Sequence, residues 1–160
     1  LARLDHPADS ASEATKVAPA RAVDQPLRDL PVLIAEDNDI NALLACRLIE
    51  RLGGVPHLAR SGTEALARLD DPASPRFALA LFDVRMPGMT GLEAVAEWRM
   101  REKAGKRPHL PVLALTANAS AADRAECLAA GFDAFMPKPL ERDAFRAMVV
   151  ALLHPDQIAA

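Results

Sequence analysis

The sequence is poor in cysteine, has no long hydrophobic run and carries no excess of basic charge. Its two cysteines, Cys46 and Cys127, form neither a CxxC pair nor a spacing typical of metal ligands, which favours a reducing compartment. The longest apolar runs are far shorter than the roughly 20 residues that a membrane span requires. With 19 basic and 22 acidic residues the net charge is −3, and no basic stripe typical of nucleic-acid-binding surfaces is visible. We therefore expect a cytoplasmic domain without nucleic-acid binding or direct membrane contact, in a parent chain whose membrane anchor, if present, lies elsewhere.

Composition divides the 160-residue chain into three parts. Residues 1–30 are rich in Ala, Asp, Pro and Ser and contain few large apolar side chains, as is typical of a flexible linker or tail. The pattern changes at Pro31, so we predict one folded domain over residues 31–153 and a C-terminal tail over residues 154–160. Because the chain begins at Leu1 rather than at Met, and no secretory signal pattern follows, we expect it to be a segment of a larger protein.

Within the predicted domain, short apolar runs alternate with amphipathic stretches, as expected for strands and helices in turn. The predicted strands are residues 32–35, 55–59, 77–82, 111–116 and 134–136. Ser61 and Glu64 are predicted to form a capping box for the second helix. The first helix ends before Gly53 and carries an apolar stripe of Ile40, Leu43, Leu44, Leu48 and Leu52. Since crossovers between parallel strands are right-handed, these units predict an α/β fold, a three-layer, doubly wound sandwich with a five-stranded parallel sheet.

Polar residues whose side chains can bind a metal or react follow the carboxyl ends of the predicted strands. Glu36 and Asp37 come after the first strand, Asp83 after the third, Thr116 at the end of the fourth and Lys138 after the fifth. In such sheets, ligands collect at this edge, near the point where the strand order reverses. We therefore expect these five side chains to form a site.

The acidic residues of this predicted site favour a divalent cation. Three carboxylates packed without a counter-ion would repel one another, and Mg²⁺, which takes oxygen ligands, relieves that repulsion. We expect Asp37 and Asp83 to be direct ligands and Glu36 to bind through water, with the backbone carbonyl of Arg85 as a further ligand. Such a site is suited to a phosphoryl group, because Mg²⁺ is commonly held by carboxylates and phosphate oxygens together.

The remaining residues of the site suit phosphoryl transfer. Lys138 supplies a point charge for one phosphoryl oxygen, and Thr116 supplies a hydroxyl donor for another. Asp83 is the candidate nucleophile, since a carboxylate that attacks phosphorus forms an aspartyl phosphate. We therefore predict catalytic roles for Asp83, Thr116 and Lys138.

The chain resembles a known family, the receiver domains of two-component response regulators. The resemblance covers residues 31–153 and rests on four motifs in order, namely Glu36–Asp37, Asp83 followed by Met86–Pro87–Gly88, Thr116–Ala117, and Lys138–Pro139. It implies a flavodoxin-like strand order of 2-1-3-4-5 and a cis peptide bond between Lys138 and Pro139. It also implies that Asp83 is the phosphoacceptor, that Glu36 and Asp37 hold Mg²⁺, and that Phe135 is an aromatic switch residue.

Two segments are similar to one branch of this family. Glu36–Asp37–Asn38 with Asn41, and the Thr-Ala-Asn-Ala run at residues 116–119, resemble the C-terminal receivers of hybrid histidine kinases. The resemblance implies a histidine kinase or a histidine phosphotransfer domain as partner, and no particular oligomeric state. The domain modifies itself but turns over no separate substrate, so any multiple-turnover kinase activity belongs to the parent chain.

The charge of a phosphoryl group suggests how such a domain would switch. A phosphoryl group adds up to about two negative charges at Asp83, which should draw the Thr116 hydroxyl toward it. By the resemblance, Phe135 then turns inward and changes the surface formed by the fourth helix, the fifth strand and the fifth helix. Arg85 and Asn118 are candidate residues for control of the phosphoryl lifetime. Two positions of the Arg85 side chain remain open, one that leans over the phosphoryl group and one that points to solvent.

Two alternative functions remain open from the sequence. One is a phosphorylation-independent interaction module that keeps only the fold, which the intact set of site residues disfavours. The other is an aspartyl-phosphate phosphatase of the haloacid dehalogenase type. That enzyme class needs a second acid two residues after the nucleophile, where this chain has Arg85.

Overall fold

The computed structural model describes residues 25–118 and 120–154 of the chain. Strands and helices alternate through this part of the chain. In order they are β1 (Pro31–Ala35), α1 (Asp39–Arg51), β2 (Val55–Ala59), α2 (Gly62–Asp70), β3 (Leu79–Asp83), α3 (Gly91–Ala104), β4 (Val112–Thr116), α4 (Ala121–Ala130), β5 (Ala134–Pro137) and α5 (Arg142–Leu153). No helix in the described ranges is both long enough and apolar enough to cross a membrane.

The five strands form one parallel sheet in the order β2-β1-β3-β4-β5, which confirms the predicted fold. Pro56 lies in β2, an edge strand, where a missing N–H donor is tolerated. The register pairs Asp83 of β3 with Leu115 of β4, and Thr116 of β4 with Pro137 of β5. The carboxyl ends of the central strands are therefore level with one another.

Helices cover both faces of the sheet, because alternate side chains of each strand point to opposite sides. Leu33 and Phe82 belong to the core that packs against α2 and α3. Ile34 and Leu81 belong to the second core, which packs against α1 and α5. The sandwich thus has three layers, with the sheet in the middle and its strands β3 and β4 fully buried.

The stripe predicted for α1 is only partly correct. Leu48 and Leu52 are buried as expected, but Ile40, Leu43 and Leu44 are 78%, 55% and 37% exposed. Small residues, Ala42 and Ala45, take their place against the sheet. Alanines at these positions allow the first turns of α1 to lie close to the strands, so the longer side chains face outward.

The capping box predicted for α2 forms only in half. The Ser61 side chain accepts a hydrogen bond from the Glu64 N–H at 3.0 Å, as expected. The Glu64 carboxylate, however, accepts from the N–H of Arg60 at 2.8 Å rather than from that of Ser61. A complete capping box occurs instead at the start of α3, between Thr90 and Glu93.

The folded part of the chain begins before the predicted boundary at Pro31. Leu27 is fully buried, and its N–H donates to the carbonyl of Leu52 at 3.0 Å. A Cβ on Gly54 would lie 3.1 Å from the Cβ of Leu27, so a glycine there leaves room for this packing. Residues 25–30 are therefore not part of a flexible linker, because one apolar side chain among polar neighbours anchors them. The rest of the predicted linker, residues 1–24, and most of the predicted tail, residues 155–160, lie outside the described residues.

Candidate active site

Three charged side chains meet at the carboxyl edge of the sheet. Glu36 directly follows β1, Asp83 ends β3, and Lys138 directly follows β5. The Nζ atom of Lys138 lies 2.9 Å from Oε2 of Glu36 and 3.1 Å from Oδ2 of Asp83. Glu36 is fully buried and Asp83 is 6% exposed, so these charges are held in a largely dry environment. The structure therefore brings together the acids of two strands and the ammonium of a third.

Backbone groups fix the two carboxylates in place. Oε1 of Glu36 accepts a hydrogen bond from the Asn38 N–H at 3.1 Å, and Oδ1 of Asp83 accepts from the Arg85 N–H at 3.1 Å. The start of α3 also packs closely on this loop, because a Cβ on Gly91 would lie 2.2 Å from the carbonyl oxygen of Asp83. Only glycine permits that approach.

The charges of the site perturb one another. Burial raises the pKa of Glu36, and the nearby Asp83 adds to the rise, although hydrogen bonds from Lys138 and the Asn38 N–H oppose it. Burial acts to lower the pKa of Lys138, but its hydrogen bonds and charge interactions with Glu36 and Asp83 outweigh burial and raise that pKa. The Glu36 pKa thus rises mainly because its carboxylate is buried, whereas the Lys138 pKa rises because two carboxylates surround its ammonium. Lys138 therefore remains a cation at neutral pH.

Asp37 completes an acidic cluster that fits a divalent cation. One carboxylate oxygen from each of Glu36, Asp37 and Asp83 lies within 4.8 Å of the other two. Asp37 is the most exposed of the three, and its backbone carbonyl accepts a hydrogen bond from Arg60 at 3.0 Å. Carboxylate oxygens are hard ligands, and a partly open cluster leaves positions for water and phosphate oxygens. The donor set is therefore suited to Mg²⁺.

Thr116 is at the same edge but is bonded to its own loop. Its side chain is buried, and its hydroxyl donates to the Asn118 carbonyl at 2.7 Å and accepts from the Asn118 N–H at 3.1 Å. A cavity of about 220 Å³ lies beside it, lined also by Val84, Arg85 and Thr90. There is thus open space next to the Thr116 hydroxyl. To reach a group on Asp83, this hydroxyl would have to give up its hydrogen bonds to Asn118.

Phe135 lies on β5, opposite Ala114 of β4, and is half-buried against the core below α2 and α3. The guanidinium of Arg124, on α4, lies 5.5 Å from the centroid of its ring. This contact links the ring to α4 through a cation–π interaction. Sequence reasoning identified Phe135 but missed Arg124, because no local pattern connects a residue of α4 with an aromatic side chain of β5.

The model of the response regulator receiver domain family matches residues 32–150. The chain belongs to this family. The Lys138–Pro139 peptide bond is cis, as the resemblance implies.

Curated relatives of this receiver domain include hybrid histidine kinases, as the sequence predicted. It is 30% identical over 118 residues to hybrid signal transduction histidine kinase L of Dictyostelium discoideum, covering 74% of this chain and 7% of that protein. It is 37% identical over 126 residues to the aerobic respiration control sensor protein ArcB of Escherichia coli K12, covering 79% and 15%. The chain therefore spans only a small part of the curated relatives it matches.

Solved receiver structures share the fold. The receiver domain of the sensor histidine kinase PA1611 from Pseudomonas aeruginosa, with magnesium coordinated in its active-site cleft, superposes with a TM-score of 0.67. It is 28% identical, and the match covers 78% of this chain and 98% of that one. The yeast complex of the phosphotransfer protein Ypd1 with the Ssk1 receiver gives a TM-score of 0.69 at 26% identity, covering 79% of this chain and 90% of that one.

The two residues predicted to influence lifetime lie at the rim of the receiver site. Arg85 is exposed, and it contacts Asp83 through its backbone N–H. Asn118 is also exposed and contacts Thr116 through its backbone. Arg60 is a further residue at this rim that sequence reasoning missed, since its contact with Asp37 joins the loops after β1 and β2.

Proposed function

We propose that Asp83 accepts a phosphoryl group from a phosphohistidine in a two-component phosphorelay. The observation that carries this proposal is the position of the Lys138 ammonium between the carboxylates of Glu36 and Asp83. A charge so placed offsets the negative charge of a phosphoryl group on Asp83. We also propose a cytoplasmic location, which the unpaired state of Cys46 and Cys127 supports.

The transfer exchanges one bond to phosphorus for another. A carboxylate oxygen of Asp83 attacks phosphorus, the phosphorus–nitrogen bond of the phosphohistidine breaks, and the imidazole nitrogen leaves with the electron pair. The product is an acyl phosphate on Asp83. Attack of water on the same phosphorus later releases inorganic phosphate and restores the carboxylate.

The chain's own residues position and neutralise the reacting groups. The Arg85 N–H holds one oxygen of Asp83, which leaves the other oxygen beside Lys138. Glu36, Asp37 and Asp83 would hold Mg²⁺, with the Arg85 carbonyl as the further predicted ligand. When bound, Mg²⁺ neutralises charge on the phosphoryl oxygens.

We propose that the donor domain docks beside this site on an exposed apolar patch of α1, formed by Ile40, Leu43 and Leu44. Leu44 also lines a small cavity with Glu36 and Lys138, so the patch is continuous with the charged cluster. A phosphohistidine must come within about 3–3.5 Å of Asp83 to react, which requires a protein surface next to the acids. The partner is a histidine phosphotransfer domain or the histidine-bearing domain of a kinase.

Phosphorylation is proposed to switch the surface of α4, β5 and α5. The phosphoryl group competes for the Thr116 hydroxyl, which now bonds to Asn118, and the cavity beside Thr116 gives it room to move. Phe135 would then leave its contact with Arg124 and turn inward. Amide hydrogen exchange across residues 116–145 should differ between phosphorylated and unphosphorylated protein, and identical exchange would refute this switch.

Arg85 and Asn118 are proposed to control how fast water reaches the phosphoryl group, because both lie at the rim of the site. Replacement of Arg85 by Gln should change the rate of phosphoryl loss. An unchanged rate would remove Arg85 from the mechanism.

Intact mass tests the phosphoacceptor proposal directly. The chain is incubated with a small phosphoramidate, with and without Mg²⁺, and then weighed. We expect the gain of one phosphoryl group only with Mg²⁺, no gain in Asp83→Asn, and a normal gain in Asp143→Asn, an exposed control on α5. An unchanged mass would favour the phosphorylation-independent interaction module, whereas turnover of many phosphate esters would favour a phosphatase.

A further inference from the structure

A second cavity lies at the opposite edge of the sheet from Asp83. It has a volume of about 260 Å³ and lies between the loop that joins α2 to β3 and the loop that joins α3 to β4. The amino ends of the parallel strands are at this edge, so the cavity shares no residue with the phosphoryl-acceptor site. A ligand in this cavity would therefore bind independently of phosphorylation at Asp83.

The walls of the cavity are apolar and held in place. Leu69, Phe77, Trp98 and Leu110 supply them. The indole N–H of Trp98 donates to buried Glu102 at 3.1 Å, and the same carboxylate accepts the Leu110 N–H at 2.9 Å. Phe77 supplies a second aromatic wall, and its ring packs edge-on against His57 with the centroids 5.4 Å apart. Aromatic walls with such contacts suit a flat ring, because the cavity needs little reorganisation on binding.

The charged side chains that line the cavity are cationic. The Arg107 guanidinium lies 5.1 Å from the centroid of the Trp98 ring and is paired with Asp70 at 2.9 Å. Arg76 is exposed, and among the described residues no carboxylate forms an ion pair with it. No acidic side chain of the described residues lines the cavity. Asp70, Glu102 and Asp133 contact the lining residues Arg107, Trp98 and His109. An anionic group on a ligand would therefore be attracted to Arg76, whose charge none of these three carboxylates pairs.

The volume limits the ligand to a small molecule. An apolar cavity of about 150 Å³ holds benzene, and drug-sized ligands occupy about 300–1,000 Å³. A cavity of about 260 Å³ lies between these cases and fits one ring with a short acidic side chain. We propose that this cavity binds a small aromatic carboxylate, with its ring against Trp98 and Phe77 and its carboxylate at Arg76.

Binding of 3-phenylpropionate to the full chain tests this proposal. Trp98 is the single tryptophan and the chain has no tyrosine, so its fluorescence reports on this cavity alone. We expect saturable binding in the millimolar range or below, and at least fivefold weaker binding to Arg76→Gln. The neutral amide of the same ligand should bind wild type about as weakly as the acid binds Arg76→Gln. The controls Arg47→Gln, an exposed arginine on α1, and Asp83→Asn should bind the acid normally.

Several results would overturn the proposal. These are the absence of saturable binding, equal affinity of wild type and Arg76→Gln, equal affinity of the acid and its amide, and equal weakening in Arg47→Gln. Because Arg76 is exposed, its replacement should leave folding intact, which a denaturant titration of each variant verifies.

Discussion

The ammonium of Lys138 and the carboxylate of Glu36 lie 2.9 Å apart, although the two residues are 102 positions apart in the chain. Only the parallel sheet brings them together, since one follows β1 and the other follows β5. Oδ2 of Asp83, between them in the strand order, is 3.1 Å from the same ammonium. The fold therefore places a fixed positive charge next to the proposed phosphoacceptor.

Replacement of Lys138 by Met should impair both stability and phosphorylation. Glu36 is fully buried and would lose its cationic partner, so we expect a loss of about 3 kcal/mol in the free energy of unfolding without Mg²⁺. Phosphorylation by a small donor should slow at least tenfold. A urea titration and a mass time course measure the two effects. Lys103→Met, at an exposed position of α3, serves as the control, and equal behaviour of the two variants would contradict the role given to Lys138.

Mg²⁺ should stabilise the folded chain. Binding to the native state alone contributes about 1.4 kcal/mol when the ion is at ten times its Kd. Asp37→Asn removes one carboxylate of the cluster and should abolish most of this gain, whereas exposed Asp143→Asn should retain it. Thermal unfolding with and without Mg²⁺ checks the difference. A gain that survives in Asp37→Asn would place the ion elsewhere.

Arg60 should support the metal site without touching the ion. Its guanidinium donates to the Asp37 carbonyl at 3.0 Å and also pairs with Asp39. We expect Arg60→Gln to weaken Mg²⁺ binding about twofold to fivefold and to change stability without Mg²⁺ by less than about 1 kcal/mol, since the contact is exposed. Calorimetric titration of Mg²⁺ into this variant and into Arg47→Gln tests the expectation. If both variants bind Mg²⁺ like the wild type, Arg60 has no positioning role.

The exposed patch of α1 should matter for a protein donor and not for a small one. Leu43 is 55% exposed, so Leu43→Ser should leave folding intact. Transfer from a phosphorylated histidine phosphotransfer domain should slow about tenfold, while phosphorylation by phosphoramidate stays normal. Met100→Ser, at a 65% exposed position of α3, provides a matched control. Equal transfer rates in the two variants would show that the donor docks on another surface.

The strand pattern and the chemistry at strand ends could be predicted from the sequence, because both depend on local properties. Parallel strands align their carboxyl ends, so Glu36, Asp83 and Lys138 had to share an edge once the strands were identified. Packing between elements was harder to predict. The stripe of α1 was ambiguous because alanines and leucines lie close together along it, and only the close approach to the sheet selects Ala42 and Ala45.

Contacts made by the long side chains of arginine could not be predicted. The contacts of Arg60 with Asp37 and of Arg124 with Phe135 depend on the placement of long side chains across loops and helices. Leu27 illustrates the same difficulty, since an isolated leucine gives no periodic signal and yet is fully buried, whereas Leu30 nearby is 36% exposed.

Chemical trapping of the phosphorylated residue tests the central claim most directly. The chain is phosphorylated with a small phosphoramidate and Mg²⁺, then reduced with borohydride, which converts an aspartyl phosphate into homoserine. Peptide mass spectrometry should find homoserine at position 83 and none in protein treated without Mg²⁺. Homoserine at another aspartate, or its absence from protein shown to carry a phosphoryl group, would contradict the assignment of Asp83 as the phosphoacceptor.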